Sequence, residues 1–388
     1  MVAFPQELLD AIVESVAGPA SRTTLKLCAL SSSVLRSTSQ RRLFSYLSLT
    51  LKSVNTVAHG LSTSPHIASY IQDLHIDLHL GSSKEQTSLT TILATLTAVQ
   101  RLVIASFGWQ TWNWSAFPAD FRAAILSVLA LPTMRCLALT RSRGVPLAII
   151  RHALTSYQEV AIFAGVTDSD EDNNPISLPV KEYGGSLTHL LLSYLPGANP
   201  AFHALLLSDQ MVSSFEPQLR HLELAVRVPN SLNGLEDVAL RYSHFLEHLS
   251  LNFNQRYDDQ VELPHLPGLR ALTLRASVGK LRIPHCITAG IAALSASTPH
   301  LTTLNLILEA RYEGPEGFVG DYDFLDTERR LADLPSLRKV NWTVRCGGVV
   351  AFEQRVRRVL PRANAAGILS FVVQNPDQRT RPMLLFSR

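Results

Sequence analysis

Leu219-Arg-His-Leu222-Glu-Leu224, Leu246-Glu-His-Leu249-Ser-Leu251, Leu269-Arg-Ala-Leu272-Thr-Leu274 and Leu301-Thr-Thr-Leu304-Asn-Leu306 share the spacing L-x-x-L-x-L, and their repetition decides the fold. Looser residues open the same spacing at Phe44, Ile71, Val99, Met134, Tyr157, Leu187, Leu337 and Ala366, so that successive openings stand 23 to 36 residues apart. In a chain that is 46% apolar, one such match carries no weight. The phase carries it instead. Pro132, Pro217, Pro267, Pro299 and Pro335 each stand two residues before an opening. Proline cannot continue a helix and biases its predecessor away from the helical region, so it marks a switch from helix to strand.

Between the triplets the apolar period changes. Leu89, Ile92, Leu93 and Leu96 fall three or four apart, as do Phe121, Ala124, Ile125, Val128 and Leu129. Leu235, Val238, Ala239, Tyr242 and Phe245 repeat the pattern, and so do Phe352, Val356, Val359 and Leu360. Such spacing puts side chains on one stripe of a helix. Each unit is therefore a strand, a loop and an amphipathic helix. One unit cannot close a core by itself, but parallel stacking of successive units can. The expected fold class is α/β, with parallel strands on the concave side of a solenoid and helices on the convex side. Over residues 44–375 the chain resembles leucine-rich repeats, in an irregular form that lacks the Asn usual after the second strand leucine.

The first 45 residues read differently. Phe4-Pro5-Gln-Glu7-Leu8-Leu9-Asp-Ala-Ile12 opens a helix at a proline, which suits the first helical turn. A second helix passes through Leu25-Lys-Leu-Cys-Ala29-Leu30-Ser, and a third leads to Arg41-Arg-Leu43-Phe44. So much apolar surface on so short a segment must lean on the repeats or on a partner. These stretches resemble an F-box, in the fungal style that is followed by repeats. The resemblance implies a segment 1–45 that docks on the linker subunit of a cullin-RING (SCF-type) ubiquitin ligase through Phe4, Pro5, Leu8, Leu9, Ile12 and Leu30. It implies too that repeats over 46–388 hold a protein substrate. Where the family commonly carries Trp after the second helix, this chain has Ser31-Ser32-Ser33-Val34-Leu35.

Composition narrows the class further. With 17% charged residues and a net charge of +3, nothing demands nucleic acid as a partner. Residues 329–388 are locally basic, with Asp333, Glu353 and Asp377 as their only acids. These charges solvate the outer face of the last repeats or meet an acidic partner. No stretch has the roughly 18 apolar residues of a membrane span, and Met1 to Ala20 does not read as a signal peptide. Cys28, Cys136, Cys286 and Cys346 are too scattered for a disulfide or metal framework. A cytoplasmic or nuclear protein with free thiols is expected.

Motifs with chemical potential dissolve on inspection. His244-Phe-Leu-Glu247-His248 has the H-x-x-E-H spacing of some zinc proteases, but that chemistry needs both histidines on one helix. Here His248 enters a repeat strand and His244 ends the preceding helix. Ser336-Leu-Arg-Lys339 matches S-x-x-K at an ordinary repeat opening, without companion motifs. Asp73, His75, Asp77 and His79 alternate along a strand and share one solvated face. No phosphate-cradling glycine loop or cofactor fingerprint occurs. No enzyme and no cofactor is expected. A binding protein remains, either the ligase adaptor or a ligase-independent scaffold or inhibitor-like module whose helices cap the repeats.

The inner strand face supplies His221, Glu223, His248, Arg275 and Lys339 as substrate-binding candidates. The stretch Ser106–Pro118 adds Trp109, Trp112 and Trp114, flanked by Phe107 and Phe117. These aromatics either anchor a partner or fold back over the strand end and helix edge. Two further interruptions, Gly165–Lys181 and Arg311–Asp326, are rich in acidic residues.

Overall fold

Four of the five prolines that punctuate the sequence sit second in a four-residue turn. The opening residue's N–H returns to the carbonyl three residues back: Met134 to Leu131, Leu269 to Leu266, Leu301 to Thr298 and Leu337 to Leu334. Proline is preset for that position of a β-turn, so each turn launches a strand, and those at Pro132 and Pro335 also follow the end of a helix. The computed structural model describes residues 6–16, 21–78, 83–106, 111–163, 178, 187–193, 200–215, 218–226, 232–253, 263–278, 287, 290–291, 294, 298–310, 324–345 and 349–373. Pro217 lies outside them, as do Phe4, Pro5, His79, Trp109, Cys286, Cys346 and most of the two acidic interruptions.

The chain divides into two compact units, Met1–Tyr157 with Ser169–Tyr183, and Gln158–Asp168 with Gly184–Arg388. The first runs α1 (Gln6–Ser15), α2 (Ser21–Ser31), α3 (Ser33–Phe44), β1 (Tyr46–Leu49), α4 (Leu51–Thr63), a 3-10 turn (Pro65–Tyr70), β2 (Asp73–Asp77), α5 (Ser83–Thr95) and β3 (Arg101–Ala105). It continues through β4 (Trp112–Asn113), a 3-10 turn (Trp114–Ala116), α6 (Ala119–Leu129), β5 (Cys136–Thr140), β6 (Ser142–Arg143) and α7 (Leu147–Ser156). Strands β1, β2, β3 and β5 pair in parallel, with Leu47, Leu74, Leu102 and Leu137 abreast. β4 and β6 form a small parallel ladder of their own.

The second unit holds β7 (Glu159–Phe163), β8 (His189–Ser193), α8 (Pro200–Leu207), α9 (Asp209–Phe215), β9 (His221–Val226), α10 (Leu232–Arg241), β10 (His248–Phe253) and β11 (Ala271–Val278). Then come β12 (Thr303–Ala310), α11 (Phe324–Ala332), β13 (Lys339–Arg345), α12 (Val349–Val359), α13 (Pro361–Ala365) and β14 (Leu369–Val373). All eight strands are parallel and follow chain order. Val160, Leu190, Leu222, Leu249, Leu272, Leu304, Val340 and Leu369 stand in one register line. Residues two further on form a second line, from Ile162 to Phe371. An α/β fold of parallel strands and connecting helices is therefore what the periodicities build.

The core lies on the leucine side. Both leucines of nearly every triplet are buried, as are the helix stripe residues Leu89, Ile92, Leu93, Phe121, Ile125, Val128, Val238 and Tyr242. Burying each such side chain stabilises by about 1.5–3 kcal/mol. Register is enforced at the strand entrances. The carbonyl of Arg220 accepts from the N–H groups of both Glu247 and His248, that of Glu247 from Arg270 and Ala271, and that of Arg270 from Thr302 and Thr303.

α1 to α3 belong to the first compact unit. Val13 of α1 and Leu25 of α2 are buried. Thr38 donates to the Asp10 carboxylate at 2.5 Å, and Gln6 donates to the Val34 carbonyl at 3.3 Å. α3 packs on the 3-10 turn Pro65–Tyr70. No described helix is long and apolar enough to cross a membrane.

Candidate binding surfaces

Two surfaces gather the candidate residues, one in each unit. On α1 to α3 the apolar residues exceed what three small helices bury. Leu8 is 52%, Ile12 57%, Leu27 61% and Leu30 81% exposed. With Val34 and Phe44 they make up six of the eight large apolar side chains that stand well exposed among the described residues. Leu8 and Ile12 lie one turn apart on α1, and Leu27 and Leu30 one turn apart on α2, so each pair shares a helix face. Leu9 is half-buried. Apolar residues rarely cluster at such exposure without a partner.

The second surface is the face of the β7–β14 sheet opposite the leucines. Because side chains alternate along a strand, residues between the leucines emerge here in rows set by the register. His189, His221 and His248 stand abreast at the start of β8, β9 and β10, followed in the row by Ala271, Thr303 and Lys339. The next row is Leu191, Glu223, Ser250, Thr273, Asn305, Asn341 and Ser370. Arg275 follows on β11, two residues beyond Thr273. Ala161, Leu191 and Ser193 are buried even on this side, whereas His221, Glu223, Ser250, Thr273, Arg275, Asn305 and Asn341 are half-exposed and His248 and Lys339 exposed.

The three imidazoles stack. His189 and His221 have ring centroids 4.0 Å apart at 10°, and His221 and His248 4.2 Å apart at 26°. The Thr188 hydroxyl lies 2.8 Å from His189 Nδ1. Burial holds each ring below the usual histidine pKa, His221 at about 4, where its two neighbours add to the effect. Burial also pushes the Glu223 carboxyl up, against the opposing pull of Arg275. Farther along, Asn341 donates to Asn305 at 2.7 Å and Asn305 to Thr273 at 3.1 Å, forming an amide ladder across three strands. Face-to-face rings do not aim their nitrogens at one point. Among the described residues no group of three or more His, Cys, Asp or Glu is placed to hold a metal ion.

Of the sequence candidates, His221, Glu223, His248, Arg275 and Lys339 share this face. Trp112 and Trp114 do not. They belong to the first unit and are each only 3% exposed. Trp112 donates its indole N–H to the Thr140 carbonyl at 2.8 Å, and its ring lies 5.8 Å from Phe117, which packs on Phe121 at 5.0 Å. Trp112, Trp114 and Phe117 thus fold back into the first unit, which removes Trp112 and Trp114 from the side chains a substrate can reach. The reason is that an apolar ring gains more from this pocket than from water. In β2, Asp73, His75 and Asp77 share a half-buried face as their alternation implies. His189 was not among the candidates, although Leu187-Thr-His-Leu repeats the L-x-H-L of Leu219 and Leu246 and signals it.

Compared with known proteins, the chain matches no family model and no curated protein.

Proposed function

We propose that this chain is a non-catalytic adaptor that recruits a protein substrate to a cullin-RING ubiquitin ligase. On this reading α1 to α3 act as an F-box and dock on the ligase's linker subunit, while irregular leucine-rich repeats offer the open sheet face to the substrate. The observation that carries the reading is the concentration of exposed Leu8, Ile12, Leu27, Leu30, Val34 and Phe44 on the three N-terminal helices. An apolar patch of this kind supplies the anchors that dominate interface energy. Catalysis then comes from the partners, and the adaptor contributes proximity: tethering both proteins raises their effective concentration. Such a role belongs in the cytoplasm or nucleus and calls for no cofactor, membrane or nucleic acid.

The test is direct binding of the purified chain to the linker subunit at micromolar concentration, by calorimetry. Binding that Leu8→Asp with Ile12→Asp abolishes, and that Val372→Asp leaves intact, supports the reading. A wild-type chain that ignores the linker sinks it.

A second reading is a ligase-independent scaffold or inhibitor-like module whose helices cap the repeats. It is favoured by the packing of α3 on the turn Pro65–Tyr70 and by the Ser31–Leu35 stretch, which has no Trp. In that case the double Asp variant leaves the linker irrelevant, and a chain lacking residues 1–45 loses stability.

A further inference from the structure

Three consecutive L-x-H-L openings place three imidazoles on neighbouring parallel strands, where the strand spacing of about 4.8 Å lets flat rings lie face to face. Such a stack suits neutral rings. A positive charge on one ring repels a charge on the next at roughly 4 Å, an interaction of about 1 kcal/mol in water and several in a half-buried site.

The other groups around the stack are of both signs. Glu159 of β7 stands abreast of His189, and Thr188 contacts its Nδ1. Arg220, just before β9, is paired with Glu247, just before β10, at 2.5 Å. Glu223 lies two residues on along β9, and β11 contributes Arg270 just before it, Ala271 abreast of His248, and Arg275 beyond. Carboxylates therefore attend the two ends of the stack, at Glu159 beside His189 and Glu247 beside His248. His221 has a histidine on both sides, so the Glu159 carboxylate of this row stands beyond His189 and not directly beside it.

We propose that the His189–His221–His248 stack is an acid-sensitive clasp, which joins the open faces of β8, β9 and β10 while its rings are neutral and parts when neighbouring rings take up protons. Opening turns a neutral aromatic strip into a cationic one, on the surface that the adaptor reading assigns to substrate, although the clasp itself needs no partner. Burial holds the three rings below the usual histidine range, and repulsion from neighbouring rings adds to it at His189 and His221, the latter held at about 4. The rings titrate as a coupled set, not as three independent sites. The folded unit binds fewer protons than the unfolded chain between pH about 6.5 and about 4, so the clasp's contribution is present above that window and is lost as pH falls through it.

Hydrogen exchange of the full-length chain, corrected for intrinsic rates, tests this at pH about 7 and about 4.5. The amides of β8 to β10 should lose about tenfold more protection than those of β11 to β13 on acidification, the equivalent of one unit of proton affinity. In His221→Phe, which keeps a flat ring but cannot be charged, that excess loss should disappear. His248→Gln, at the exposed end of the stack, should shrink it and decides the matter where His221→Phe does not fold. Equal loss across β8 to β13 in the wild type, or undiminished excess loss in the variants, overturns the proposal.

Discussion

The hydroxyl of Tyr157 donates a 2.6 Å hydrogen bond to the carbonyl of Leu129, the last residue of α6. A helix leaves its final carbonyls without partners, and here the side chain that opens a strand 28 residues later satisfies one of them. Tyr242 does the same in the second unit, donating to the Leu206 carbonyl near the end of α8. Burial pushes both phenols well above their ordinary pKa, so they remain donors throughout the working range. Tyr157→Phe should cost about 1–3 kcal/mol, because the Leu129 carbonyl stays buried without its donor. A urea titration of the variant that matched the wild type would show that another group satisfies this carbonyl.

The amide ladder has a centre and an end. Asn305 both donates to Thr273 and accepts from Asn341, whereas Asn341 makes only the second of these bonds within the ladder. Asn305→Ala should therefore destabilise more than Asn341→Ala, by about 1 kcal/mol for the additional bond. Equal losses in chemical denaturation would mean that the ladder is not cooperative.

Two glycines should respond in opposite directions. Gly60 sits in α4, where an added Cβ would meet nothing within 4 Å, so Gly60→Ala should stabilise by roughly 0.5–1 kcal/mol. Gly367 has φ of +69°, just before β14, and although its surroundings are open, Gly367→Ala should cost about 1–2 kcal/mol through the left-handed backbone alone. Thermal melts that shifted both variants in the same direction would contradict this.

Glu223 gives a pH-dependent prediction. Its raised pKa means that the folded chain holds this proton more tightly than the unfolded chain, so the carboxylate lowers stability once pH climbs above the folded value. Glu223→Gln should raise the urea midpoint at pH about 7, and the gain should vanish as pH falls below about 4, where the wild-type group is protonated in both states. A gain independent of pH would assign the effect to packing.

The strands were legible because each triplet matches a period that only a strand covered on one side satisfies. Leu222 with Leu224 and Leu304 with Leu306 are buried as their spacing implies. The helix stripe of Phe121 to Leu129 was legible for the same reason at the other period. Aromatic residues were less so. Trp112 and Trp114 have no periodic context, and whether they face a partner or a pocket depends on the ladder of β4 with β6, two-residue strands below the reach of pattern. The histidine stack was readable in principle, since L-x-H-L recurs three times, but side-chain stacking depends on register between strands, which a single line of sequence does not carry.

Shared carbonyls at the strand entrances have an evolutionary consequence. The Arg270 carbonyl takes the amides of Thr302 and Thr303, and the Thr302 carbonyl those of Arg338 and Lys339, so main-chain atoms help seat each segment on its predecessor. Duplicating a segment would therefore transplant these main-chain attachment points intact, and whole modules could be added or removed while the exterior diversified.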